Sequence, residues 1–220
     1  MDSDDILQET ALEMLYNRCV KYDLDVVYFD GEVFSDLPEN DFTEKQFENY
    51  YNRVGVYPKT VYKGLELMQE MWRNDEYRVT PCLQLIKKRY IVSHGLYFPQ
   101  GIIHEDNAFN FLCMAQAERA GYYGIQLYRR RLRNDSTITK KSTFENVYGY
   151  LRCYINILHW LQHNDLPDQY YQTVHELLDS LIHSAKYHYT IIEGSERLIV
   201  NYLQLSEWIF CQKLIVEETS

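Results

Sequence analysis

Three groups of residues in this chain have the types and spacing to do chemistry. In the opening stretch MDSDDIL, Asp2 and Asp4 stand one residue apart. In an extended segment at the end of a strand, both carboxylates can reach one hard cation. Mg²⁺ or Mn²⁺ held by one or two carboxylates keeps its other positions for water and phosphate oxygens, which is how a diphosphate is gripped. The same stretch also reads as a helix start, with Asp5 as cap, Gln8 completing a capping box, Asp4 near the helix N-terminus and Asp2 frayed. The second group is His104-Glu105-Asp106, after a glycine-containing turn and before a helix. A carboxylate there can take a proton from a substrate hydroxyl if burial or a neighbouring acid raises its pKa. Equally, Asp106 can cap the helix while His104 lies on the surface. The third is RRRLRNDSTIT, with Arg129, Arg130, Arg131 and Arg133 within five positions. Guanidinium groups contact phosphate oxygens in pairs, and they also balance neighbouring carboxylates.

The rest of the composition narrows the partners. A net charge of −10 over 220 residues excludes nucleic acid as a default partner, because phosphate-backbone binding needs a broad basic face. With 46% hydrophobic residues the chain can bury a sizeable core. The five cysteines, Cys19, Cys82, Cys113, Cys153 and Cys211, are widely spaced and form no C-x-x-C pair, so they read as reduced thiols and not as a disulfide framework or zinc site. No leader-like segment opens the chain, and no apolar run is long enough for a transmembrane segment. A cytoplasmic location fits these features. The 21 tyrosines suit broad, half-wet contact surfaces.

Around these groups the pattern predicts the elements that must hold them. A helix is expected from Asp5, then a buried strand in DLDVVYFDGEVF closed by a turn at Asp30-Gly31. Residues 36–58 read as an irregular acidic connection. Leu65, Met68 and Trp72 mark a helix, and YRVTPCLQLIKKRYI an edge or irregular strand leading into a short helix. A helix is predicted over Asn107–Ala120 with Gly121 as its stop, followed by a short strand and a basic loop. Residues 144–163, 170–188 and 195–215 carry helical spacing. The front is mixed α/β and the back all helical.

In their order, DSDDIL, DLDVVYFDG, GLYFPQGIIHEDNAF and YRRRLRNDSTIT resemble the second half of a family 2 glycosyltransferase, of the bacterial kind that builds capsular and other surface polysaccharides. The resemblance spans residues 2 to about 139. It implies the α/β GT-A fold of nucleotide-diphospho-sugar transferases, here its C-terminal, acceptor-side half, followed by an all-helical tail. Residues 1–139 would be a partial catalytic domain lacking the N-terminal nucleotide-binding strands, and 140–220 a helical C-terminal region. Asp2 and Asp4 would hold the divalent cation, Mn²⁺ or Mg²⁺. Asp106, beside Glu105, would be the catalytic base. Arg130, Arg131, Arg133 and Ser136, with Thr139, would belong to a loop over the donor diphosphate.

The resemblance further implies a metal-dependent, inverting transfer from a nucleotide-diphospho sugar donor to a saccharide or lipid-linked acceptor. Tyrosines and Trp72 could offer stacking faces to acceptor sugars. Peripheral association with the inner face of the membrane and a homodimer through the C-terminal helices are compatible with it. The alternative is a catalytically inactive α/β-helical module acting in partner binding or oligomerisation. In the family, a Val- and Ile-rich strand with a Pro-x-Tyr-Asn-like turn precedes the Asp-x-Asp motif and supplies the base and ribose pocket. This chain alone is therefore expected to bind nucleotide-sugar weakly or not at all and to be inactive. Calorimetry showing Mn²⁺-dependent micromolar binding would contradict that expectation.

Overall fold

The computed structural model describes residues 3–35, 47, 49–132 and 141–201. Its elements are β1 (Ile6–Leu7), α1 (Ala11–Tyr22), β2 (Val26–Ser35), α2 (Gly64–Arg73), β3 (Gln84–Ile86), α3 (Lys88–Ser93), α4 (Asp106–Gln116), β4 (Ala120–Leu132), α5 (Phe144–His163) and α6 (Tyr171–Ile191). A further helix begins at residue 194. The strands form one mixed sheet in the order β1-β4-β2-β3, with β2 and β4 parallel at its centre and both edges antiparallel.

Alternate side chains of β2 point to opposite faces, and both faces are covered. Val26 and Tyr28 join Leu67 and Met68 of α2, Phe111 and Met114 of α4, Cys153 and Ile157 of α5, and Val174 and Leu177 of α6. Val27 and Phe29 pack with Ala11 and Leu15 of α1 and with Leu83, Leu127 and Tyr128. This is why Val26 to Gly31 are buried without a break. The larger core runs unbroken from the sheet into α5 and α6. Trp72 belongs to that junction, its ring against Tyr77 at 5.8 Å and its indole N–H donated to Glu176 at 2.6 Å.

Several local expectations are corrected by sheet pairing. Asp5 and Gln8 do not cap a helix. Ile6 and Leu7 pair with Arg129 and Tyr128, Gln8 donates from Nε2 to the Gln126 carbonyl at 2.6 Å, and the helix starts only at Ala11. Asp30-Gly31 is not a turn, because β2 continues through it opposite β4, with register shifts on both sides of Asp30. Gly31 is required by close approach: a Cβ there would lie 2.6 Å from the Tyr128 carbonyl oxygen. The helix of residues 107–120 in fact ends at Gln116, and Gly121 is a β4 residue that packs against Leu24. The strand after it is long. β4 has a partner on each edge, so pairing carries it through Arg129, Arg130 and Arg131, which are strand residues and not loop residues.

At the register shift, Asp30 meets Arg53 in a fully buried ion pair, Nη1 to Oδ1 2.8 Å, with side-chain exposures of 2% and 1%. Arg53 also donates to the Phe29 carbonyl and the Glu76 carbonyl, both at 3.1 Å, and the Tyr122 hydroxyl donates to Asp30. Burial raises the Asp30 carboxyl above its ordinary range, and the Tyr122 hydroxyl and Arg53 oppose that rise. Glu76 in turn accepts from the Val54 and Gly55 amides and the Tyr57 hydroxyl, tying the irregular 51–57 segment to the end of α2. Removing one partner strands a buried charge. Arg53→Ala is therefore expected to cost about 3–5 kcal/mol in urea unfolding; a loss below about 1 kcal/mol, the value of a surface pair, would contradict the role given to this pair.

Candidate functional site

The turn before α4 is built around His104, a non-glycine residue in the left-handed region with φ 64°. Its carbonyl accepts three donors: the Asn107 amide N–H at 3.1 Å, Asn107 Nδ2 at 2.9 Å and Cys153 Sγ at 3.2 Å. Its ring stacks on Tyr150 at 4.2 Å, and its Nε2 faces Asn146 Nδ2 at 3.0 Å. His104 is thus half-buried, and the alternative that places it on the surface is not met. Burial, with a smaller contribution from His188, lowers its pKa to about 4.

Glu105 occupies the N-cap position without a side-chain cap bond, and Asp106 is the first helical residue, so the expectation that Asp106 caps α4 is not met. Burial first, and the Glu105 charge second, push the Asp106 carboxyl up to about 6. The backbone N–H groups of α4 and Asn107 Nδ2, 3.2 Å from Oδ1, work against that rise. The result is a carboxylate that is ionised at neutral pH yet basic enough to take a proton.

Glu105 and Asp106 open into a cleft of about 1520 Å³ that Arg130 also lines. Thr80, Pro81 and Cys82 border it beside Arg130, and α5 and α6 close it through Asn146, Tyr150, Tyr187 and His188. Arg130 sits among Tyr51, Tyr128 and Asp5; burial works to lower its pKa, but these neighbours outweigh it, and of them Asp5 supplies the carboxylate. The opening acidic stretch runs along the edge of β4 opposite β2. The Asp4 carbonyl accepts from Arg131 Nε at 3.1 Å, and the Asp5 carboxylate accepts from the Arg131 amide N–H at 2.9 Å and from the Tyr128 hydroxyl. Arg129 pairs with Glu32 at 2.6 Å, so the charge-balance reading holds for that arginine.

Glu105, Asp106 and Arg130 therefore share one cleft, and Asp4 is joined to Arg131. Asp2, Arg133, Ser136 and Thr139 lie outside the described residues. Among the described residues no three His, Cys, Asp or Glu side chains gather as a metal cluster. Hard carboxylate oxygens suit Mg²⁺ or Mn²⁺, which need only one or two of them beside phosphate oxygens, and on that chemistry Asp4 fits. Asp5 is committed to Tyr128 and Arg131. Sequence reasoning missed Asn146, Tyr150, His188 and Ser142, which reach the cleft from the helical region. Thr143-x-x-Asn146 was a legible signal, since the structure shows a capping box there.

No family model matches the sequence. Glycosyltransferase GlyA of Streptococcus pneumoniae serotype 4 is 25% identical over 139 residues, covering 62% of this chain and 19% of that protein. The chain thus spans about a fifth of that relative's length. Residues 1–349 of S. aureus TarS, in complex with UDP-GlcNAc, superpose with a TM-score of 0.53 at 15% identity, over 83% of this chain and 45% of that one. A second S. aureus TarS structure gives 0.52 at 16% identity, over 81% and 27%. The chain has the fold of TarS. The likeness reaches past β4 into the helices, and its partial coverage of TarS fits the half fold that the resemblance implies. Among the described residues no helix is long and apolar enough to cross a membrane.

The two shifted groups have opposite effects on stability. Asp106 is raised, so its contribution is full below the ordinary carboxylate range and is lost as pH rises through about 6. His104 is lowered, so its contribution is full above the ordinary histidine value and is lost as pH falls toward about 4. Asp106→Asn is expected to match the parent at pH 4 and to exceed its stability by ~2 kcal/mol at pH 8. Urea unfolding at both values checks this; an equal difference at both would mean Asp106 is not held above its ordinary range.

Proposed function

We propose that this chain forms the acceptor-side half of a glycosyltransferase that moves a sugar from a nucleotide-diphospho sugar to a saccharide or lipid-linked acceptor, in surface polysaccharide synthesis. The observation that carries this reading is the shared cleft, in which Asp106, a carboxylate tuned to act as base, and Arg130, a half-buried cation, face the same space. The sequence likeness to a glycosyltransferase and the shared TarS fold support it. The UDP-GlcNAc named for TarS makes a UDP-sugar the first donor to test.

In this reading Asp106 accepts the proton of the acceptor hydroxyl as that oxygen attacks the anomeric carbon from the face opposite the leaving group. The bond from the anomeric carbon to the diphosphate oxygen breaks with its electron pair, and the configuration inverts. Burial, reinforced by the Glu105 charge, keeps Asp106 basic. Arg130 and Arg131, with Arg133 and Ser136, stabilise the negative charge that builds on the departing diphosphate. Asp2 and Asp4 would hold Mn²⁺ or Mg²⁺, which when bound supplies further charge neutralisation at the diphosphate. Residues 1–139 provide these groups, and the helical region of 140–220 provides the far wall of the cleft.

In the full-length protein, Asp106→Asn is expected to lower transfer from UDP-sugars by roughly 10²- to 10⁴-fold while leaving donor affinity within a small factor. Release of nucleoside diphosphate measures the first and calorimetry the second. Near-normal turnover would remove Asp106 as the base.

A further inference from the structure

Three successive turns of one helical face meet the turn that carries Glu105 and Asp106. Asn146, Gly149 with Tyr150, and Cys153 follow the spacing that aligns side chains along one side of α5. Gly149 sets the distance of approach, since a Cβ there would lie 2.2 Å from the Ile103 carbonyl oxygen. Cys153 donates to the His104 carbonyl, and Tyr150 lies flat against the His104 ring, 20° from parallel.

Asn146 makes the most directional of these contacts. Its Oδ1 accepts from the Thr143 amide N–H at 2.8 Å and from Thr143 Oγ1 at 3.4 Å, closing the capping box at the start of α5. With the oxygen so used, its Nδ2 faces His104 Nε2 at 3.0 Å and donates to it. His104 is thereby held neutral, with Nε2 as acceptor and its proton on Nδ1. One amide thus ties the first turn of α5 to the left-handed residue immediately before Glu105.

We propose that Asn146 is a positioning residue for Asp106, acting through His104: by fixing the His104 ring and tautomer it holds the left-handed turn that aims the carboxylate into the cleft. The inference rests on the reading of Asp106 as the base. It differs from a purely structural role for Asn146 in a way that can be measured, because the cap and the His104 contact use different atoms of the amide.

Three variants separate the two. Thr143→Ala weakens the cap and leaves the His104 contact. Asn146→Ala removes both. Asn146→Asp keeps an acceptor for the cap but replaces the donor facing Nε2 with a second acceptor, which favours a proton on His104. Carboxyl and imidazole titrations followed by NMR on the full chain read the result. Asp106 is faced by Glu105 and by the Tyr77 and Tyr150 phenols and the Cys153 thiol, and His104 by His188; the phenols and thiol stay neutral over the range used. In Asn146→Ala the Asp106 midpoint is expected to fall from about 6 by roughly one pH unit or more as the turn relaxes and the carboxylate gains water. Thr143→Ala is expected to leave it in place. Asn146→Asp is expected to raise the His104 midpoint by roughly one pH unit or more from about 4. An Asp106 midpoint that stays put in Asn146→Ala, or that moves equally in Thr143→Ala, overturns the proposal. The acid limb of the kcat profile of the full-length protein keeps this distinct from the parent reading. If the NMR midpoint moves in Asn146→Ala and the limb does not, Asn146 positions Asp106 but Asp106 is not the base.

Discussion

The site depends on one constraint, the pairing of β4 along both of its edges. On one edge Ile6 and Leu7 lie opposite Arg129 and Tyr128, which brings the acidic opening within reach of Arg131. On the other edge β4 runs parallel to β2 from Val26–Ala120 to Ser35–Leu132. Around Tyr128 and Arg129 the strand has partners on both sides, which satisfies its backbone groups there, and so it can carry three arginines in extended conformation instead of releasing them into a loop. Arg130 lines the cleft, while its neighbour Arg131 holds the Asp4–Asp5 segment.

A regular parallel pair would not leave room for this. The register shifts around Asp30 interrupt the ladder where the two central strands are most buried. The polar groups exposed by that interruption need partners away from water. Arg53 supplies them, reaching Asp30 and the carbonyls of Phe29 and Glu76, with Tyr122 closing the set. The same arginine fixes the irregular 51–57 segment, which delivers Tyr51 to Arg130 and to the cleft wall. A defect in the sheet, its charged repair and the placement of one site wall are therefore a single arrangement.

The mixed α/β front and the helical back were legible because periodicity and turn residues report them directly, whereas the joining of Glu105 and Asp106 with Arg130 was implied only by the family resemblance. What was not legible came from competition between local signals and pairing. Asp5 and Gln8 carry a sound local cap signal, but two residues of sheet pairing outweighed it. Asp30-Gly31 is a strong turn dipeptide, yet the glycine is there because a strand passes within 2.6 Å of where its Cβ would be. The basic run reads as a loop by composition and is a strand because it is central. The part His104 plays in the turn could not be read, since neither a positive φ nor a stacking partner 46 residues away leaves a trace in the local sequence.

The boundary suggested by composition near residue 140 marks a change in secondary structure without a break in packing. The larger core runs from Met68 and Phe111 to Ile157 and Leu177, and Phe111 meets Trp160 edge-on at 5.7 Å. Polar contacts cross the same line: Asn146 Nδ2 to His104 Nε2 at 3.0 Å, and Cys153 Sγ to the His104 carbonyl at 3.2 Å. His188 also stacks on Tyr150 at 5.6 Å, which in turn stacks on His104, so α6 reaches the turn before Asp106 through two rings. Helices that merely followed the α/β unit would pack through apolar side chains and leave the site to the strands. Here the burial that raises Asp106 is supplied partly from α5, because the helix that approaches closely at Gly149 also brings Tyr150 and Cys153 to that carboxylate. The helical region thus sets the electrostatics of the site as well as one of its walls.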